Sequence, residues 1–263
     1  MTRPQTNQQT RTDPMDPARA AALAATLGQP RTYSAGDPLP PFAHQLYFWE
    51  AQPPEALGPD GHPKLGGFLP DLGLPRRMWA AGELTFHAPL LAGIRAERTS
   101  RVEAVTRKQG RSGKLGFVRV RHDIRQRHSL VLTEHQDIVY REDGPRPDAP
   151  RARTDETHRE TRQFDSTLLF RYSALTFNGH RIHYDEAYAR QVEGYDGLVV
   201  HGPLLAHLLM DLASRHLGAY RGFAYRATAP LMHHETATLC RAGDDLWVRG
   251  PGGRGCMEAR VTR

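Results

Sequence analysis

The chain has 263 residues, 39% hydrophobic and 24% charged, which suits one large globular domain or two of ordinary size. No apolar run reaches the ~18 residues of a membrane-spanning helix, and the polar start "MTRPQTNQQTRTDP" lacks the core of a signal peptide, which points to a cytoplasmic protein with no membrane partner. The net charge is +6, yet only Lys64, Lys108 and Lys114 are lysines, the arginines are scattered, and no zinc-finger or RNA-binding motif occurs; this argues against nucleic acid and leaves a surface bias or a phosphorylated ligand held by arginine.

In chain order, residues 1–15 read as a disordered tail. A first helix follows, with Asp16 as cap, Pro17 in the first turn and Gly28 as stop. "PLPPFAHQLYFWE" predicts a second helix that buries Phe42, Leu46, Tyr47 and Trp49. From Ala51 to Arg77 prolines and glycines predict a long loop. "MWAAGELTFHAPL", "IRAERTSRVEAVTRKQG", "GKLGFVRVRHDIRQR" and "LVLTEHQDIVYRE" carry partial period-two alternation and predict an antiparallel meander. Residues 143–160 are charged and proline-rich, as in a linker. "FDSTLLFRYSALT" reads as a strand, and "EAYARQVE" as a short helix capped by Asp185 and stopped by Gly194. The strongest helix begins after "GLVVH", with Gly202 as N-cap, Pro203 in the first turn and Gly218 at its end. Leu204, Leu208 and Leu212 form one apolar row and Leu205, Leu209 and Ala213 the next, with His207, Asp211 and Arg215 opposite. Four more strand-like segments complete the chain. Its two cysteines, Cys240 and Cys256, build no disulfide framework. The fold class is α+β: two units, 16–142 and 161–263, each a long helix against an antiparallel sheet.

"RYSALTFNGHRIHYD" (171–185), followed by "EGYDGLVVHGPLLAHLL", resembles the MaoC-like or hydratase 2 acyl-thioester dehydratases of the hotdog fold. The likeness is strongest to the branch of mesaconyl-CoA hydratases and mitochondrial type 2 3-hydroxyacyl-thioester dehydratases. "GELTFHAPLLAG" and "GRSGKLGFVRVRHDI" look like the same branch's N-terminal half, so the resemblance covers roughly residues 16–262. It implies a double hotdog: two curved sheets joined edge to edge, each around a long central helix, with the site in the C-terminal half and a degenerate N-terminal half that accommodates the substrate tail. It also implies a homodimer or higher homo-oligomer. The wider group carries Asp-x-Asn-x-x-His; here Thr176 stands in the aspartate's place, Asn178 matches, and two extra residues make His183 or His180 the counterpart of the histidine.

Water addition to a C=C bond conjugated to a thioester needs a base, a proton for Cα, and stabilisation of the charge on the thioester oxygen. His183 is the candidate for the proton work, with His180 in competition. Asn178 suits orienting the water or the histidine, and Thr176 holding the water. Gly202, where "VVHGP" enters the long helix, suits an oxyanion site built from the amides of Gly202 and Leu204. Pro203 and His201 are expected to line the pocket, Arg181 to touch the coenzyme A phosphates, and His87 to pack nearby. The HxxH spacing of His180 and His183 lacks the carboxylates of a metal centre, so neither a metal nor a cofactor is expected beyond the coenzyme A of the substrate. The expected activity is reversible hydration of a small enoyl-CoA, mesaconyl-CoA-like and yielding citramalyl-CoA. The alternatives are dehydration of carrier-protein thioesters in fatty-acid synthesis and a non-catalytic acyl-CoA-binding protein.

Overall fold

The computed structural model describes residues 7–110, 113–144 and 148–263. The first half runs β1 (Gln8–Asp13), α1 (Pro17–Thr26), β2 (Arg76–Phe86), β3 (Ala96–Gly110), β4 (Gly113–Gln126) and β5 (Ser129–Arg141). The second runs β6 (His158–Arg162), α2 (Ser166–Thr176), α3 (Glu186–Gln191), α4 (Gly202–Leu217), β7 (Gly222–Ala227), β8 (Ala237–Ala242), β9 (Asp245–Arg249) and β10 (Gly255–Thr262). These strands form one antiparallel sheet in the order β1-β3-β4-β5-β2-β7-β10-β9-β8-β6. That order reads the same from either edge, because each strand of the first half has its counterpart in the second. The seam is β2 on β7, with Ala81 opposite Arg226 through to Thr85 opposite Gly222. Two units of one topology thus share a sheet, which is the double hotdog.

α4 is the central helix of the second half. Its buried Leu204, Leu205, Leu208, Leu209 and Leu212 face a core with Phe223, Val248 and Val261 from the surrounding strands. Each such leucine contributes about 1.5–3 kcal/mol by leaving water. His207, expected opposite the leucines, is also buried, edge-on to Phe42 of the first half.

Among the described residues the first half has no counterpart of α4, contrary to the expected long helix in each unit. Between α1 and β2 the chain makes only the short 3-10 turns Ala43–Leu46 and Pro54–Ala56. Pro40, Pro41, Pro53, Pro54 and Pro59 remove helix donors there, so "PLPPFAHQLYFWE" folds as a turn; Phe42, Leu46 and Tyr47 are buried as expected, whereas Trp49 is only partly buried.

Other expectations are corrected as well. Gln8–Asp13, assigned to a disordered tail, pairs with β3 from Gln8 opposite Arg101 to Asp13 opposite Ala96. The linker 143–160 is too long, because His158–Arg162 pairs with β8 as an edge strand. "FDSTLLFRYSALT" is helical: Asp165 caps it by accepting from Leu168 N, and Leu169, Tyr172 and Ser173 bury one face at helical spacing. The N-cap of α4 is His201, and Gly202 is the first helical residue. Among the described residues no helix is long and apolar enough to cross a membrane.

Candidate active site

A cavity of about 1050 Å³ occupies the region left without a central helix. Its walls come from the proline-rich loop, the faces of β2–β5 and the end of α2, and it reaches Thr176 and Asn178.

α2 stops at Phe177, whose left-handed backbone (φ 52°) turns the chain into the polar strip. Asn178 Oδ1 accepts from His180 N at 3.0 Å, closing the turn. The 3-10 turn Arg181–His183 follows, then Asp185 caps α3 by accepting from Tyr188 N at 3.0 Å, as expected. Ile182 anchors the turn in a small core with Tyr188, Val199 and Met232.

His183 is buried, and its Nδ1 lies 2.7 Å from the Val199 carbonyl oxygen. A carbonyl only accepts, so Nδ1 carries the hydrogen and Nε2 keeps its lone pair. Burial, helped by the neighbouring His180, pushes the imidazole pKa down to about 3, so the ring is neutral near pH 7. The His183 ring stacks on His201 with centroids 3.7 Å apart. Ser173 lies 2.8 Å from His201 Nε2, while the buried Nδ1 of His201 has no partner.

Two residues that the sequence reading missed meet this strip from the first half. Asp60 and His62 sit in the proline-rich loop, and Asp60 Oδ2 accepts from His62 Nδ1 at 3.1 Å and from Arg77 Nε at 3.3 Å. Burial alone would raise the Asp60 carboxyl, but the His62 hydrogen bond and the Arg77 charge hold it below the usual carboxylate range. Burial lowers the pKa of His62, against the pull of Asp60. The His62 ring is 4.5 Å from that of His180, which is 5.4 Å from that of His183. Backbone contacts lock the loop onto the strip: Arg181 N donates to Asp60 O at 2.9 Å, and a Cβ at Gly61 would fall 2.0 Å from Gly179 O. His62 lines the cavity, whereas His180 and His183 lie behind the wall that it forms with Asn178 and Gly179. The "DGH" triplet was the available signal, hidden in a segment whose composition reads only as loop.

His201 places no side-chain cap on α4, so the first-turn amides have no side-chain acceptor. A Cβ on Gly202 would meet nothing nearer than Trp79 O at 3.9 Å, and Trp79 lines the cavity. Gly202 itself, like the wholly buried His201 that was expected to line the pocket, is not among the residues of the cavity wall.

Other candidates are placed elsewhere or spent. Thr176 Oγ1 donates to Tyr172 O at 2.7 Å, which leaves only its lone pairs for a water. Arg181 is not a cavity residue: it pairs with Asp185 at 2.7 Å and packs over the Tyr188 ring. Leu204 is wholly buried in the core and Pro203 lies off the cavity wall. His87 contacts Thr133 at 3.1 Å, away from the strip. Asp60, His62 and His180 offer three ligand atoms within 4.8 Å of one another, as do His158, Glu160 and His216. In the first group the Arg77 guanidinium already occupies the carboxylate and opposes a cation.

Residues 42–233 match the family of hydroxyacyl-thioester dehydratases type 2. The chain is 46% identical over 254 residues to the mesaconyl-C(4)-CoA hydratase of Chloroflexus aurantiacus, covering 93% of this chain and 91% of that one. Among solved structures it resembles a MaoC-like dehydratase from Phytophthora capsici (TM-score 0.71, 13% identity, 98% and 96% of the two chains). It also resembles a double-hotdog protein from Mycobacterium tuberculosis (TM-score 0.61, 14% identity, 99% and 96%). The chain therefore belongs to the hydroxyacyl-thioester dehydratase type 2 family.

Proposed function

We propose that the chain is a hydro-lyase that adds water reversibly across the C=C bond of a small enoyl-CoA of the mesaconyl-CoA kind, giving a citramalyl-CoA-like product. The 46% identity to a mesaconyl-C(4)-CoA hydratase supports the substrate class. The observation that carries the chemistry is that His183 and His62 both have Nδ1 tied to an acceptor, leaving Nε2 unprotonated. A water that donates to His62 Nε2, on the cavity wall, presents its oxygen lone pair to Cβ, while His183 supports the strip from behind. His62, backed by Asp60, takes the proton as the C–O bond forms, and the π electrons move onto the thioester oxygen. The Gly202 amide at the start of α4 holds that charge. The imidazolium then returns the proton to Cα, so H and OH are added and the base is regenerated. In this reading His62–Asp60 does the work of the aspartate that Thr176 replaces. The reaction uses no cofactor beyond the coenzyme A on the substrate.

The test is the absorbance of the conjugated thioester upon addition of purified protein. Mesaconyl-CoA is expected to lose it; no change with mesaconyl-, crotonyl- or itaconyl-CoA would sink the proposal. The match to hydroxyacyl-thioester dehydratases favours a second reading, dehydration of a carrier-protein thioester. Equal or faster turnover of the carrier-bound substrate than of its CoA ester would select it. The reading includes a cytoplasmic enzyme that assembles as a homo-oligomer through the open sheet edges β1 and β6. Light scattering at a monomer mass would remove the oligomer.

A further inference from the structure

We infer that the β3–β4 wall of the cavity is a carboxylate receptor centred on Arg98, which selects thioesters whose acyl chain ends in a second carboxylate. This rests on the acyl-CoA reading above and deepens it.

Three arginines line the cavity. Arg11 is paired with Glu50 at 2.9 Å and Arg77 with Asp60 at 3.3 Å. Arg98 has no carboxylate within salt-bridge reach among the described residues. Among the described residues its one hydrogen bond is from Nη2 to the Phe48 carbonyl at 3.3 Å, and its Nε is buried without a partner. A partly buried guanidinium without a carboxylate partner is a ready receptor for an anionic ligand group.

The shortage of acceptors is not confined to Arg98. Arg11 Nε, Trp49 Nε1 and His122 Nε2 are also buried without partners, and all three residues line the same cavity. Ser100 lies 2.7 Å from His122 Nδ1; with the hydroxyl donating there, His122 Nε2 carries the hydrogen. Among the described residues, side chains of one cavity thus carry four buried nitrogens without a well-formed hydrogen bond, with Gln136 the side chain that approaches His122. The nearby buried acid, Glu134, does not fill the role. Its two oxygens are taken by Gln45 at 2.9 Å and His44 at 3.1 Å. Burial, and then the Arg98 charge, oppose protonation of His122, so Arg98 is the cation of this set without a carboxylate partner, Arg11 being paired with Glu50. A planar anion with two oxygens matches this set, and a methyl group in its place leaves every donor unmet.

The experiment measures by calorimetry the affinities of succinyl-CoA and butyryl-CoA, which differ in the terminal carboxylate and have no C=C bond to react. The native protein is expected to prefer succinyl-CoA by about tenfold or more, Arg98→Gln to remove that preference, and Arg98→Lys to retain part of it. Circular dichroism checks that the variants are folded. No preference in the native protein, or an undiminished one in Arg98→Gln, overturns the inference. Should Arg98→Gln not fold, His122→Phe with its preference intact does so. Preference without turnover of any enoyl-CoA would sink the hydratase reading alone. Turnover of mesaconyl-CoA with an unmoved affinity ratio would sink the receptor alone.

Discussion

His62 and Asp60 of the first half form a hydrogen-bonded pair, Nδ1 to Oδ2 at 3.1 Å, and the His62 ring lies 4.5 Å from that of His180 in the second half. A carboxylate that holds a neutral imidazole in one tautomer makes Nε2 the base and steadies the imidazolium it becomes. His62→Gln is expected to lower kcat by about 10²–10⁴-fold. Asp60→Asn still accepts the Nδ1 hydrogen but loses the charge that supports the imidazolium, so it lowers kcat less. It also moves the acid limb of the pH–rate profile to lower pH, because Asp60 raises the pKa of His62. Unchanged kcat in both variants removes the pair from the chemistry.

His183 is distinguished from His180 by its fixed tautomer. His183→Ala is expected to lose at least about a hundredfold in kcat, and His180→Ala considerably less. Steady-state kinetics of the two variants decide the matter: a dead His180→Ala beside an active His183→Ala reverses the assignment.

Gly202→Ala separates stability from activity. The position is helical and its Cβ has room, so the change stabilises the helix by up to about 1 kcal/mol. The methyl group would project where the thioester oxygen is proposed to sit, so kcat/KM should fall tenfold or more. A melting temperature at or above that of the native protein together with lost activity is the expected pair of results; full activity argues against an oxyanion site here.

Acid should destabilise the fold well before the carboxylates titrate. Burial pushes the pKa of His183 to about 3 and those of His122 and His207 to about 4. In the unfolded chain these groups titrate near 6.5. Between the folded and unfolded values the unfolded state binds more protons, so stability is complete above pH 6.5 and falls as the pH drops below it. Each such histidine contributes up to about 1.4 kcal/mol per pH unit in that window. Melting curves from pH 7.5 to 5 are expected to show the loss beginning near 6.5; a flat profile to pH 5 would contradict the buried, neutral state of these rings.

The loop that carries Asp60 and His62 depends on one close approach. Gly61 has φ +87°, and a Cβ there would sit 2.0 Å from Gly179 O. Gly61→Ala is expected to raise KM and lower kcat together by displacing the loop, with global melting nearly unchanged. Equal kinetics before and after would show that the loop does not need that contact.

The second half was legible because its signals are local. Capped helices at Asp185 and the leucine rows of α4 follow directly from residue spacing, and the motif around Asn178 stands in one continuous stretch. α2 was misread because "TLLFRYSALT" is apolar enough for either element, and the deciding cap, Asp165, had been assigned to a strand. The site is only half visible in sequence. Asp60 and His62 lie more than a hundred positions before His180, in a segment whose prolines announce a loop but not where it goes. Arg98 was one of many scattered arginines until its lack of a carboxylate partner was seen in three dimensions.

The matching strand order of the two halves makes the absent helix consequential for stoichiometry. A symmetric pair of complete units would present two helix starts and two histidine strips. Among the described residues the first half has no such helix and carries the cavity instead, so on the proposed reading each polypeptide is expected to take up one thioester rather than two. Titration of the folded chain should saturate at a single equivalent.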